Sequence, residues 1–356
     1  EARRKRFAGG PGHVVNFFWY VAEEVRQLLS LLGVARLEDL IGRSDLLQPR
    51  AVQRAKTQGV DLSSLLAPIQ GSEDRAWLRH SAEAHGNGPI LEDQLLADAE
   101  LMAALESHGS LSRTIAIINT DRSVGARLAG EIAQRHGNRG FKGALDLTFR
   151  GAAGQSFGAF LVQGMNVRLE GEANDYVGKG MNSGSISLVP SDGCADPGDQ
   201  VILGNTCLYG ATGGELFALG RAGERFGVRN SGARAVVEGA GDHCCEYMTG
   251  GVVVVLGSTG RNVGAGMTGG VTFLLDEGDR VVPRVNPEIV EVCSITTAEQ
   301  ETVLKGLLEA HVAATGSSTA SALLADWAAA KGRFKVLVPP SERAAMGLTQ
   351  KQAVAA

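Results

Sequence analysis

The sequence is poor in the residues that build redox and metal centres. Aromatic residues make up 5% of the 356 residues, and none of the five cysteines belongs to a CxxC pair. One histidine, His243, lies beside a cysteine, Cys244, and no other has metal-site spacing to one. We therefore interpret the cysteines as reduced thiols and predict no metal site built from them.

The sequence also lacks an excess of basic residues and any long apolar run. Its net charge of −5 argues against a nucleic-acid binder, which needs a basic face. One basic cluster, Arg3–Arg6, is interpreted as a solvated helix end. Because there is neither a membrane-length apolar segment nor a signal peptide, we predict a cytoplasmic protein. The chain opens on Glu1 without an initiator Met, which suggests a piece of a longer protein.

Glycine, by contrast, is abundant, with 48 residues. Most lie in a region of short strand-like apolar runs that end at regular intervals. These runs end at Gly151, Gly171, Pro190, Gly204, Gly220, Gly239, Gly257 and Asp276, in steps of 20, 19, 14, 16, 19, 18 and 19 residues. A period near 20 residues built from short strands is typical of a solenoid whose coils stack on one another.

A second marker precedes the strands with the same period. It is MNSG at Met181–Gly184, ATGG at Ala211–Gly214, and MTGG at Met248–Gly251 and Met267–Gly270. Glycine suits a corner where the backbone turns and lies close to the next coil, and the Met or Ala is predicted to fill the interior. The predicted fold class is mainly β: a right-handed parallel β-helix of about seven coils of roughly 19 residues, with flanking α-helices at both ends.

Helices are predicted before the coils. Apolar residues at helical spacing indicate a helix over residues 14–32 that ends at Gly33, with an extended connector after it. A second helix is predicted over Leu91–Glu106, a buried strand over Thr114–Asn119, and a third helix over Asp121–His136. We assign residues 1–113 to a helical arm and connector and residues 114–295 to the β-helix.

Helical signals return after the coils, in residues 296–356. Thr297 and Gln300 form a capping-box pattern that opens a helix to about Ala314. A second helix is predicted over Thr319–Lys331 and a short strand over Phe334–Val338. These elements are expected to cap the end of the rod, where an uncovered coil would expose strand edges.

Gly264–Gly269 matches the G-x-G-x-x-G fingerprint of dinucleotide-binding proteins. That motif works because a helix N-terminus follows the glycine turn and faces the pyrophosphate. Here a strand-like run, VTFLL, follows instead. We therefore interpret these glycines as a corner of the solenoid.

Ionisable residues on the predicted corners are candidates for acid–base chemistry or Ca²⁺ binding. They are Glu170, Glu172, Asp175, Glu238, Asp242, His243 and Glu246. Nothing in their spacing requires catalysis, so we interpret them as structural. Arg225, Arg229 and Asn230 join the later ones in a dense polar stretch, which is predicted either to pair in ladders between coils or to contact another domain.

Several segments resemble one known family. They are NTDRSVGARLAGEIAQRHG from Asn119, GNTCLYGATGG from Gly204 and GERFGVRNSGARAVVEGAGDHCCEYMTGG from Gly223. They resemble the C-terminal GXGXG β-helix domain of the glutamate synthase large (alpha) subunit. Upstream, RFAGGPGHVVNFFWYVAEEVRQLL and LEDLIGRSDLL resemble the end of its FMN-barrel region. Departures from the family pattern are Gly12, where Glu is usual, and Cys244, where Gly is usual.

The resemblance implies an enzyme that takes ammonia from glutamine, adds it to 2-oxoglutarate and reduces the imine to give two glutamates. Its electrons pass through a [3Fe-4S] cluster and FMN. The catalytic cysteine, flavin barrel and cluster cysteines of the family are absent from this chain, so we carry over no catalytic, cofactor-binding or metal residue. Expected partners are the remaining domains of the large subunit and a small NADPH-dependent subunit or ferredoxin, with no nucleic acid and no membrane.

The role expected from the resemblance is a rigid spacer between the glutaminase and synthase regions. One alternative is a non-catalytic assembly subunit similar to the β-helix of the formylmethanofuran dehydrogenase C subunit. The barrel-like arm at residues 7–47 would be idle in such a subunit. Another alternative, a carbohydrate-active β-helix, would need stacked carboxylates and a secretion signal, which the sequence lacks.

Overall fold

The computed structural model describes residues 9–50, 61–68, 88–194, 196–286 and 290–342. The basic cluster at Arg3–Arg6 and most of the predicted connector lie outside these ranges. The chain divides into two compact units, Glu1–Gly86 and Asn87–Ala356. Within the described ranges, no helix has the length and apolarity that a membrane crossing requires.

The first unit contains helix α1, Pro11–Leu32, and the short helix α2, Ser63–Leu66. Helix α1 confirms the helix predicted over residues 14–32. The helix ends at the predicted Gly33, which adopts a φ of 70° and donates its N–H to carbonyl groups of the last turn. Such a left-handed cap favours glycine. None of the residues of α1 is buried.

The second unit contains most of the regular structure. Its helices are α3 (Leu91–Ala97), α4 (Ala99–Ser107), α5 (Ala126–His136), α6 (Ala298–Thr315), α7 (Ser318–Ala325) and α8 (Trp327–Ala330). Its strands are β1 (Ser110–Ile117), β2 (Ala144–Ala153), β3 (Met165–Ala173), β4 (Ser185–Val189), β5 (Val201–Leu203), β6 (Glu215–Ala222), β7 (Ser231–Gly239), β8 (Thr249–Val255), β9 (Gly269–Leu275), β10 (Glu291–Ser294) and β11 (Phe334–Val338).

The predicted β-solenoid is confirmed. Strands β1–β2–β3–β4–β6–β7–β8–β9 stack in parallel in this order. Equivalent residues recur at the predicted period: Glu215 pairs with Arg234, which pairs with Val252. One inward column, Leu147, Val167, Ile186, Leu216, Ala235 and Val253, is buried throughout. Each coil thus buries the apolar face of its neighbour.

The solenoid has about six turns rather than the seven predicted. The difference arises at the two irregular steps of the sequence period. Strand β5 lies off the main stack and pairs with β3 and β6, so the runs ending at Pro190 and Gly204 belong to a single long coil. In that coil Ser185 pairs with Glu215.

Two predicted helices differ in their bounds. The helix predicted over Leu91–Glu106 is split into α3 and α4, because Asp98 caps the second with bonds from the amides of Glu100 and Leu101. The helix predicted to begin at Asp121 begins at Ala126. Residues before it form a corner of the first coil, in which Ser123 takes a φ of 55° and its N–H donates to Gln155.

After the coils, α6 opens at the predicted capping box, where Thr297 accepts from the amide of Gln300. The predicted second helix is divided into α7 and α8 by the capping residue Asp326. The predicted final strand, β11, pairs antiparallel with β9 and β10. It therefore occupies the open edge of the last coil.

Helices α6 and α7 cover the outward face of the later strands. One outward column begins with Thr148, Arg168 and Ser187 and becomes apolar in the later coils. Its later members Phe217, Val236, Val254 and Phe273 are buried with Leu304, Leu307 and Leu323 of the helices. The change from polar to apolar side chains along this column thus determines where the helices pack.

Candidate functional site

Each coil has a tight corner of six residues whose first, third and fifth members have positive φ. The first members are Ser156, Tyr176, Thr206, Arg225, His243 and Asn262; the third are Gly158, Gly178, Leu208, Gly227, Cys245 and Gly264; the fifth are Phe160, Gly180, Gly210, Arg229, Tyr247 and Gly266. The prediction that Gly264–Gly269 leads into a strand is confirmed, because β9 follows.

The alternating backbone binds each corner to both neighbouring coils. The N–H of Tyr176, a first member, donates to Asn205 in the following coil at 2.9 Å. The N–H of Gly178, a third member, donates to Phe157 in the preceding coil, also at 2.9 Å. The fifth member, Gly180, again donates forward. The corner is therefore hydrogen-bonded between coils, as the strands are, which satisfies backbone groups that would otherwise be buried unpaired.

The second and sixth members of the corner point into the solenoid. Met181, Ala211, Met248 and Met267 are fully buried, which confirms the predicted interior role of this marker. In one coil the sixth member is instead Asn230, which is also fully buried. Its amide bonds the backbone N–H and carbonyl of Ala233, both at 2.9 Å. The buried polar side chain is thus satisfied.

The outer side of the corners carries aromatic and cationic side chains, which we name the corner surface: Phe160, Tyr176, Lys179, Tyr209, Arg229 and Tyr247. The rings of Tyr176 and Tyr209 meet edge to face at 6.3 Å. The Lys179 ammonium lies 5.4 Å from the Tyr176 ring centroid. The Arg229 guanidinium lies 5.9 Å from the centroids of both Tyr209 and Tyr247. These distances are those of cation–π contacts.

The corner surface was not predicted from the sequence as a unit. Arg229 was noted only as part of a polar stretch, and the tyrosines were not singled out. The contributing side chains come from the first, fourth and fifth corner positions of different coils, and other coils carry glycine at the fifth position, so no single spacing rule joins them. A search for aromatic and basic residues near each GXG, once the coils were aligned, would have found them.

Most of the sequence candidates for acid–base chemistry are committed to structural pairing. Glu170 accepts from Arg150 at 2.7 Å and from Arg168 at 3.3 Å. The hydrogen bond from Arg150, more than any other contact, holds the pKa of Glu170 below its ordinary value. Asp175 accepts from the backbone N–H of Asn205 at 2.7 Å. The contacts of Glu170 with Arg150 and of Asp175 with Asn205 join successive coils.

The dense polar stretch likewise forms pairs between coils, one of the two predicted alternatives. Asp242 accepts from the backbone N–H of Arg261 at 2.7 Å, which is the main reason that its pKa is lowered. Arg225 lies 3.3 Å from Glu246, and His243 lies 3.5 Å from the same carboxylate. Arg229 is the exception in this stretch, since its guanidinium contacts rings.

Glu238 lies in a buried polar cluster between the coils and the helices. It accepts from His311 Nε2 at 3.0 Å and from Ser317 Oγ at 2.6 Å. Burial acts to raise its pKa, but the hydrogen bonds from His311 and Ser317 prevail and the pKa lies below the ordinary value. The carboxylate therefore fastens α6 and α7 to strand β7.

The remaining candidate, Glu172, lines an open groove of about 380 Å³ beside the irregular long coil. Gly151, Gly171 and Pro190 form part of its wall. Among the described residues that line the groove, Glu172 is the one carboxylate. General acid–base catalysis by a pair of carboxylates therefore has no basis in the lining of this groove.

The residues present do not fit an iron–sulfur cluster. Within the described ranges no group of three or more His, Cys, Asp or Glu is arranged to hold a metal. Burial raises the pKa of the Cys207 thiol to about 12. The hydrogen bond with Cys245, followed by burial, raises the pKa of Cys244. Cluster ligands are thiolates, and these environments oppose thiolate formation.

The described residues also provide no phosphate cradle for a flavin at the strand–helix turn before α5. The backbone N–H groups of Gly125 and Leu128 are already occupied by the buried carboxylate of Glu92, each at 3.1 Å. Burial raises the pKa of Glu92. An anion would have to displace this carboxylate, so a helix N-terminus that could bind phosphate is closed.

The repeated corner and the parallel solenoid define a class of protein. A family model described as the GXGXG motif matches residues 92–340, and the chain belongs to that family. More particularly, the chain is 55% identical over 345 residues to ferredoxin-dependent glutamate synthase 2 of Synechocystis sp., covering 96% of this chain and 22% of that protein. It is 53% identical over 343 residues to the chloroplastic ferredoxin-dependent glutamate synthase of Spinacia oleracea, covering 96% and 21%.

The chain thus spans about a fifth of the length of the curated relatives that it matches. Among solved structures, it is similar to a chain of the formyltransferase/hydrolase complex from Methylorubrum extorquens in complex with methylofuran. That match has 22% identity and a TM-score of 0.34, and it covers 50% of this chain and 69% of the other. A likeness this distant carries no argument about function.

Proposed function

We propose that this chain is part of a glutamate synthase and acts there as a rigid spacer between the glutaminase and synthase regions. Its relatives at 53–55% identity are glutamate synthases. The reaction is the conversion of glutamine and 2-oxoglutarate to two glutamates. We assign the catalysis to the rest of the polypeptide, because most of the candidate carboxylates pair with other groups and most of the described thiols are buried.

The observation that carries this proposal is the double connection between coils. Strands pair in parallel along the stack, and corners donate hydrogen bonds both forward and backward. A stack fixed at two sides resists bending more than one fixed by strands alone. Ammonia transfer between two active sites requires such constancy, since a displacement of about 1 Å can greatly reduce a rate.

We propose ferredoxin as the electron donor of the complete enzyme, because the relatives are named ferredoxin-dependent. FMN and a [3Fe-4S] cluster would be held by the part of the polypeptide outside this chain. A small NADPH-dependent subunit has no support, and we do not retain it. The cytoplasmic location stays a prediction from composition.

The test alters the length of the spacer in the full-length enzyme. Deletion of residues 252–270 removes one coil without changing the register, because Val252 and Val271 are paired equivalents. The stack then shortens by about 4.8 Å. We expect glutamine hydrolysis to exceed 2-oxoglutarate consumption, whereas the two are equal in the unaltered enzyme. Both rates are measured in the same reaction mixture.

A variant of unchanged length provides the control. It replaces residues 252–270 with a copy of residues 215–233, an equivalent coil of the same length. This variant should keep hydrolysis and consumption equal. Equal rates in the deletion variant would refute the spacer role. They would leave the assembly-subunit alternative, in which the solenoid only docks onto catalytic chains.

A further inference from the structure

Arg229 differs from the other arginines of the solenoid in its partners. Seven arginines lie between residues 144 and 275. Six of them form ion pairs with carboxylates: Arg150, Arg168, Arg221, Arg225, Arg234 and Arg261. Arg229 has no carboxylate partner in the part of the chain that the structure describes. Lys179, the one lysine of this stretch, also faces a ring rather than a carboxylate there.

The backbone of the corner surface is costly to maintain. Arg229 and Tyr247 occupy the fifth corner position with φ of 52° and 53°. Gly180, Gly210 and Gly266 occupy the same position in other coils. A side chain in this left-handed region costs about 1–2 kcal/mol relative to glycine. Because these side chains point outward, no packing in the solenoid interior offsets that cost, and such strain suggests a functional role.

The exposed side chains of the corner surface have the composition of a binding site. Tyr247 and Phe160 are 52% and 54% exposed. Tyrosine and arginine are enriched among the residues that dominate protein–protein binding energy. The surface extends over five neighbouring coils, about 19 Å at strand spacing. A cation held between two rings, without a carboxylate of its own, matches a partner that presents a carboxylate among apolar side chains.

We propose that the corner surface binds an acidic surface on the remaining part of the same polypeptide, with Arg229 paired to a carboxylate there. This inference rests on the proposed function. The chain spans 21–22% of its relatives' length, so most of the polypeptide is available as the occupant. Covalent connection raises the effective concentration of that partner, which favours it over a separate molecule.

The contact is tested by cross-linking in the full-length protein. Benzoylphenylalanine replaces Phe160, which keeps an aromatic ring at the edge of the corner surface. After irradiation, the cross-linked peptides are identified by mass spectrometry. We expect peptides from outside the 356-residue chain that contain Asp or Glu. Substitution of Arg229 should lower the yield about tenfold, the effect of one dominant interface arginine.

Two substitutions of Arg229 distinguish an effect on docking from an effect on folding. Arg229→Gly removes the side chain and places at this position the residue found in three other coils, so the fold should be retained or gain stability. Arg229→Lys keeps the charge and should retain part of the cross-linking. Arg150→Gln is the matched control, since it also removes one exposed positive charge, in the first coils and outside the corner surface, and should leave the yield unchanged. Unfolding midpoints are measured for all variants.

Four outcomes would overturn the proposal: no cross-link outside this chain, cross-links to a second copy, cross-links to a separate acidic protein, or a yield unaffected by Arg229→Gly. The coil-deletion assay distinguishes this failure from failure of the spacer role. Cross-links together with equal rates in the deletion variant would refute the spacer role alone. Unequal rates without cross-links would refute the corner surface alone.

Discussion

Three glycines of one coil allow the effects of backbone conformation and close approach to be measured separately. Gly210 has a φ of +65°, and a Cβ there would meet nothing within 4 Å. Gly213 has no positive φ, but a Cβ there would lie closer than 3.0 Å to the carbonyl oxygen of Asn182 in the preceding coil. Gly214 combines a φ of +86° with close approaches to the methyl end of Met181 and to the carbonyl oxygen of Ser183. Alanine at each position therefore tests a different cause.

The expected losses follow from these geometries. Gly210→Ala should lower the free energy of unfolding by about 1 kcal/mol, because it imposes only the left-handed penalty, less the entropy that alanine removes from the unfolded chain. Gly213→Ala should cost about 3 kcal/mol, since the obstacle is a backbone atom and two coils must separate. Gly214→Ala should cost about 3 kcal/mol or more, because the left-handed penalty adds to a close approach to the backbone carbonyl oxygen of Ser183, even though the methyl end of Met181 can rotate away.

The assay is thermal unfolding followed by circular dichroism on the three variants and the unaltered chain. At about 3 °C per kcal/mol, Gly213→Ala should lower the Tm by about 9 °C and Gly210→Ala by about 3 °C. Equal shifts for these two variants would refute the claim that close approach between coils, rather than positive φ, determines the requirement for glycine at this marker.

Three further predictions concern single residues. Thr206→Gly should raise the free energy of unfolding by about 1 kcal/mol, because Thr206 has a φ of 61° and its branched side chain is unfavourable in the left-handed region. The free energies are measured by urea unfolding, with Thr206→Ala as the control. Glu238→Gln should reduce the acid sensitivity of the fold. Because the folded-state pKa of Glu238 lies below its ordinary value of 4.5, its contribution to stability is complete above that value and is lost as the pH falls through the folded-state pKa. The unfolding midpoints at pH 7 and pH 3 should therefore differ less in the variant than in the unaltered chain. In the native state, iodoacetamide should not alkylate the four buried cysteines, Cys207 among them. After denaturation, mass spectrometry should show that all four are alkylated. Alkylation of Cys207 in the native state would contradict its burial.

The solenoid could be predicted from sequence because its period depends on local rules. Each coil repeats an apolar run and a small-residue corner, and both signals lie within about 20 residues of sequence. The number of coils was harder to predict from the sequence. Strand β5 has the same apolar pattern as the other strands, but it pairs beside the stack, and pairing between distant segments has no local signal.

The predicted bounds of two helices were wrong for a related reason. Apolar spacing continues through Asp98, yet its carboxylate bonds the amides of Glu100 and Leu101 and starts a new helix. At Asp121–Gly125, helical spacing competes with pairing to the next coil, and the hydrogen bond from Ser123 to Gln155 prevails. Side-chain capping at Asp98 and hydrogen bonding between coils at Ser123 thus determine where these two helices begin, in place of the apolar periodicity.

The glycine pattern alone did not reveal the corner surface, because non-glycine residues there contradict the rule that defines the motif. A GXG pattern indicates positive φ where glycine is present, but Leu208, Arg229 and Tyr247 adopt the same backbone without it. The neighbouring coils impose this conformation: the N–H of Arg229 donates to Glu246 at 3.0 Å and that of Tyr247 to Ala265 at 2.9 Å. Once the ladder fixes the backbone, an outward position can carry any side chain at a cost of about 1–2 kcal/mol. Rigidity of the corner and its capacity to present Arg229 between two rings therefore have the same physical origin.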